Sequence, residues 1–102
     1  MKKLIYILSL ALSSNLFAQH PTNLQANNIS DTSATLTWND NSCSTSLTLN
    51  YRELAGTWGA GIPNVSSPYS LNGLLPNTSY EWKVECVGSS GLIPQDTLIT
   101  SL

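Results

Sequence analysis

Residues 74–82 read Leu74-Leu75-Pro76-Asn77-Thr78-Ser79-Tyr80-Glu81-Trp82, and the spacing inside this stretch decides how the chain folds. Leu74, Pro76, Thr78 and Tyr80 form L-x-P-x-T-x-Y, and an alternating aromatic run follows at once. The Pro-Asn pair marks a turn, and Tyr80 stands near the start of the strand beyond it. From there a tyrosine can turn its ring into a core while its hydroxyl reaches a backbone group a few residues upstream. Such a bond satisfies a buried phenol and pins the crossover between two sheets.

Working outward, the same alternation recurs. Ala34-Thr35-Leu36-Thr37-Trp38, Leu47-Thr48-Leu49-Asn50-Tyr51 and the run from Tyr80 to Cys86 each place apolar residues at every second position. Period two with one polar side marks strands that pack on a core by one face, as antiparallel sheets allow. No stretch sustains a 3.6-residue period, and Thr, Ser, Asn, Gly and Pro recur too often for helix interiors. Turn clusters at 39–42, 55–57, 59–61, 76–77 and 88–91 punctuate the runs. The pattern predicts strands near 22–26, 28–30, 34–38, 46–53, 57–59, 68–72, 79–87 and 96–101.

The N-terminal end follows a different plan. Lys2 and Lys3 precede the uncharged apolar run 4–12 (LIYILSLAL), and a polar stretch leads to Leu16-Phe17-Ala18. This is the layout of a secretory signal peptide over residues 1–18, cut between Ala18 and Gln19. Leu16 is a poorer fit at the third position before the cut than the usual small residue, so the cut can slip by a residue or two. A membrane anchor is the competing reading, but a span needs about 20 apolar residues, and Ser13, Ser14 and Asn15 interrupt this one. The remaining domain, 19–102, keeps Arg52 and Lys83 against six acidic side chains, a balance of −4. Two basic residues cannot build a phosphate-binding patch, which excludes nucleic acid and electrostatic docking on anionic lipid. About 84 residues make one small domain with a thin margin of stability.

Taken together, the corner and the tryptophan strand resemble the fibronectin type III domain, in the form found in exported bacterial proteins. Pro21 and Leu24 resemble its opening strand, and the run from Ile29 to Trp38 its second with a core tryptophan. Leu47, Leu49, Tyr51 and Arg52 resemble the third strand, residues 69–74 the strand entering the tyrosine corner, and Tyr80 to Cys86 the long central strand. The resemblance implies an all-β, immunoglobulin-like sandwich of two antiparallel sheets with about seven strands. Leu47 stands where the family often carries an aromatic, and Asp96 to Leu102 ends the chain without a linker, as a piece of a longer secreted protein would.

In that fold Cys43, after the Trp38 strand, and Cys86, in phase with Tyr80, Trp82 and Val84, fall at one pole of the sandwich. An even cysteine count in an exported chain favours a disulfide over two buried thiols. A bridge closing about 44 residues removes about 4 kcal/mol of unfolded-state entropy in the chain-entropy model.

Catalysis has little to stand on. His20 is the only histidine and is expected on a frayed terminus, so no nucleophile has a base beside it and zinc lacks ligands. There is no C-x-x-C for redox chemistry and no glycine-rich phosphate loop. Glu81 and Glu85 share a strand face, read as solvated rather than as a glycosidase pair. Asn39-Asp40-Asn41 reads as a turn, since one carboxylate cannot fill a calcium shell. Asn28, Asn64 and Asn77 head N-glycosylation triplets, and Asp96-Thr97-Leu98 resembles a bacterial O-glycosylation triplet. Each is read as coincidence or as ordinary strand.

Trp58, within Gly56-Thr57-Trp58-Gly59, is the aromatic whose place the pattern leaves open. It either folds over a sheet edge on apolar surface or stands exposed as a ligand contact together with Arg52, which is near enough in sequence to stack on it. The expected function is a non-catalytic, extracytoplasmic, cofactor-free module, secreted, periplasmic or on the cell surface. It is a monomeric spacer, adhesion or protein-interaction unit with an unidentified protein or glycan partner, presenting its loops or an edge strand. The alternative is a small carbohydrate-binding module using Trp58 and Tyr69 as an exposed strip.

Overall fold

The computed structural model describes residues 20–102, so the expected signal peptide and its expected cut between Ala18 and Gln19 lie outside the described residues. Seven strands follow in order: β1 (Thr22–Asn27), β2 (Ala34–Asn39), β3 (Leu47–Glu53), β4 (Ile62–Pro63), β5 (Tyr69–Leu71), β6 (Ser79–Cys86) and β7 (Gln95–Ile99). They form a three-stranded sheet, β1-β2-β5, facing a four-stranded one, β4-β3-β6-β7. Every pairing is antiparallel. Among the described residues no helix is long and apolar enough to cross a membrane.

The alternation in the sequence becomes the sidedness of the sheets. Leu36 and Trp38 of β2 face Leu49 of β3 and Trp82 and Val84 of β6, all buried. Residues directly opposite on paired strands share a face. Leu47 therefore meets Cys86, Leu49 meets Val84 and Tyr51 meets Trp82 on the inner side of the sheet. Burying each of the larger apolar side chains contributes about 1.5–3 kcal/mol. Trp38 and Trp82 pack with ring centroids 6.2 Å apart in a tilted pair, a geometry the ring quadrupoles favour. Trp38 also donates from Nε1 to Asp40 Oδ1 at 2.8 Å, which gives the Asn39-Asp40-Asn41 turn its structural role.

The corner forms as the sequence predicts. The Leu75 N–H donates to the Tyr80 hydroxyl at 2.8 Å, five residues away, and the Tyr80 ring is buried against Tyr51. Thr78 Oγ1 donates to the Pro76 carbonyl at 2.8 Å, and Leu74 anchors the near side in the core.

Two expected strands are absent. Residues 28–30 form no strand, because β1 ends at Asn27 and Asn28 turns left-handed at φ 48°. Ser30 Oγ then accepts from the N–H groups of Thr32 and Ser33, closing the bend that leads into β2. The strand expected at 57–59 is replaced by the two-residue β4 further on, for reasons that lie in the Trp58 loop.

Candidate functional site

On the outer side of the four-stranded sheet the residues between the core positions point away from the core and are partly exposed. Arg52 pairs with Glu81, Asn50 with Lys83 and Thr48 with Glu85. Arg52 Nε and Nη2 both reach Glu81 Oε1, so the two strands are tied by an ion pair as well as by backbone bonds. Glu81 lies on the polar face, as its phase predicts, but is held by Arg52 and mostly covered rather than solvated.

The loop between β3 and β4 folds back across this face. Arg52 Nη1 donates to the Gly56 carbonyl at 2.8 Å, and Asn50 Nδ2 donates to the Gly59 carbonyl at 3.3 Å. Gly61 brings the chain down onto the sheet: a Cβ there would lie 2.3 Å from Thr48 Cγ2 and 2.9 Å from Asn50 Nδ2. Only glycine permits that approach without something moving. The close approach delays pairing until Ile62 and leaves residues 57–59 without a strand partner.

Trp58 lands where that loop puts it. The Arg52 guanidinium carbon lies 4.2 Å from its ring centroid and Lys83 Nζ 4.4 Å, so both basic side chains of 20–102 rest against one indole. The expected Arg52 stacking is present, and the sequence did not disclose that Lys83 joins it. The surface that Trp58 covers is charged rather than apolar. The ring is half-buried and sits on the sheet face instead of wrapping an edge.

Tyr69 does not share this surface. It belongs to β5 in the other sheet and pairs with Leu36, whose side chain is in the core, and it packs against that core. An exposed strip made of Trp58 and Tyr69 therefore does not form.

The opposite end of β6 carries the second surprise. Cys43 and Cys86 are joined by a disulfide, with Cα atoms 5.8 Å apart. Beside it His20 is 0% exposed, not frayed, and its Nδ1 accepts from the Cys86 N–H at 3.3 Å. Along β6, amides alternate between the two neighbouring strands, and Cys86 points to the β7 side beyond the end of β7. His20 supplies the missing acceptor. Its own carbonyl accepts from Asn41 Nδ2 at 3.2 Å, which holds the residue in place. A lone histidine beside the expected cut gave no periodicity from which this docking could be read.

With two sheets of three and four strands, the tyrosine corner and the core tryptophan all in place, residues 19–99 match the family described as Fibronectin type III domain. The chain belongs to the fibronectin type III family. No curated protein matches this fibronectin type III domain. Among solved structures it is similar to a computationally redesigned β-sandwich protein, with TM-score 0.66 and 22% identity over 79% of this chain and 93% of that one. It is similar to domains A168-A170 from titin, with TM-score 0.65 and 20% identity, covering 82% of this chain and 32% of that one. The central fibronectin-III array of RIM-binding protein gives TM-score 0.62 and 16% identity, covering 80% and 31% respectively. The domain spans about a third of each of these last two, and at such identities the likeness concerns fold alone.

Proposed function

We propose that the protein is exported, loses residues 1–18, and works outside the cytoplasm as a non-catalytic module that spaces, adheres or binds a protein partner. The observation that carries this reading is Trp58, a half-buried indole held against Arg52 and Lys83 on a solvent-facing sheet. Binding energy concentrates on Trp and Arg where they are rigidly placed, and a side chain already ordered loses little freedom on association. The Cys43–Cys86 bridge supports an oxidising compartment, and the Lys2-Lys3 start with its apolar run supports export.

A protein partner is favoured over a sugar because the ring already rests on two of the chain's own cations and Tyr69 packs against the core. Adhesion of the oxidised protein to the producing cells is the test, with wild type set against Trp58→Ala. The variant should keep its unfolding midpoint and lose about 30-fold in affinity, the scale of a hot spot. Equal adhesion by both proteins removes Trp58 from the site. A glycan array run in parallel would establish the carbohydrate alternative if it gives a sugar that only the wild type binds.

A further inference from the structure

The four sheet edges of this domain are not equally protected. β4 is two residues long and one of them is Pro63, which has no N–H to offer. β5 is only three residues long. β1 is broken by a register shift between Thr22 and Gln25. Short strands, prolines and bulges are the devices that keep edges from pairing with other chains. β7 is preceded by Pro94, but its five residues contain no proline and run in unbroken register with β6 without a bulge.

The hydrogen-bond parity shows which of its groups are open. The Thr100 N–H donates to the Thr78 carbonyl at 3.0 Å, and Leu54 N–H donates to the Ser79 carbonyl on the other side of β6, also at 3.0 Å. Bonded and non-bonded pairs alternate along an antiparallel ladder. The β7 residues that bond to β6 are therefore Asp96 and Leu98, while Gln95, Thr97 and Ile99 turn their N–H and C=O outward. Among the described residues none bonds to those outward groups. All three residues also carry exposed side chains, and none is charged.

The three most exposed large apolar residues belong to β7 or to the chain just before and after it. Leu102 is 93% exposed, Leu92 64% and Ile99 63%, the three highest values among the exposed large hydrophobics. Leu92 and Leu102 lie at equal distance along the chain on either side of Thr97.

On the reading of this chain as an interaction module, we infer that β7 is a self-association edge. Two copies pair β7 with β7, antiparallel and centred on Thr97, and join their four-stranded sheets into one. A two-fold pair of this kind is self-complementary. Thr97 meets Thr97 and Gln95 meets Ile99, so every outward donor finds an acceptor. Asp96 faces Leu98 of the second copy rather than another carboxylate, and the Leu102 end of each chain meets the Leu92 end of the other. A contact of this size is weak, so the domain is a monomer when dilute, as the sequence implies, and pairs when concentrated.

Sedimentation velocity on the oxidised full chain, from about 10 μM to about 1 mM, should show its mass rise from one chain toward two. Over the same range the amides of Gln95, Thr97 and Ile99 should become at least about tenfold slower in hydrogen exchange, while those of Asp96 and Leu98 stay slow throughout. Thr97→Pro removes an outward N–H without touching the β6 ladder, and Thr97→Lys keeps the backbone but sets two charges against each other on the two-fold axis. Both should weaken pairing about tenfold or more. A single-chain mass at all concentrations overturns the inference, and so does a dimer that survives both variants. Adhesion that falls in Trp58→Ala yet persists in Thr97→Lys would show that the interaction reading stands apart from the edge.

Discussion

Tyr80 and His20 hold the two ends of β6 in the same way, one with a hydroxyl oxygen and one with a ring nitrogen, each accepting from a backbone N–H. Tyr80→Phe keeps the ring in the core and leaves the Leu75 N–H without its partner. It should cost about 1–3 kcal/mol, read as a lower urea midpoint at unchanged m. His20→Ala opens a cavity as well as stranding the Cys86 N–H. It should cost about 2–4 kcal/mol by the same measurement. The difference in legibility between the two is physical. Tyr80 sits inside a spaced motif whose every member has a local job, so the sequence declares it. His20 acts across 66 residues, on an amide exposed only because β7 stops short of Cys86. That relation is set by where two strands end, and nothing near His20 in sequence encodes it.

At the level of elements, phase was easy to read and pairing was not. β2, β3 and β6 are predicted within a residue or two because each alternates over six or more positions. β4 is not, because two residues carry no period, and the aromatic-looking run at 57–59 drew the expected strand to itself. The physical cause is Gly61, whose missing side chain lets the loop close on Thr48 and Asn50. Gly61→Ala should lift that loop from the sheet face and free Trp58 from Arg52 and Lys83. A red-shifted, quenchable tryptophan component should then appear while Trp38 and Trp82 keep their buried emission. The stability cost should be about 1–3 kcal/mol, typical of forcing an atom into filled space. An unchanged spectrum would mean that the loop does not depend on the close approach.

For the whole molecule, the fold class, the sheet sidedness and the cysteine pair were all legible in the sequence. The candidate site was legible only in part: Arg52 and Trp58 were joined, but Lys83 entered through a cross-strand diagonal that requires the β3–β6 register. Replacing Cys43 and Cys86 together by alanine should lower stability by about 4 kcal/mol, given the separation of 43 residues. Denaturation of the double variant against the oxidised parent measures it, and a small domain should come close to losing its fold at 37 °C. The bridge has a mechanical side too. Residue 22 enters beside the disulfide and Ser101 leaves beside the tyrosine corner, so tension applied through the two chain ends runs lengthwise along the strands. If the sandwich is torn open under load, the segment between the cysteines, a separation of 43, stays looped out of the line of pull. Its roughly 150 Å of contour, at about 3.5 Å per residue, is withheld until a reductant cuts the bridge. Oxidation thus fixes how far this domain can stretch as well as how firmly it folds.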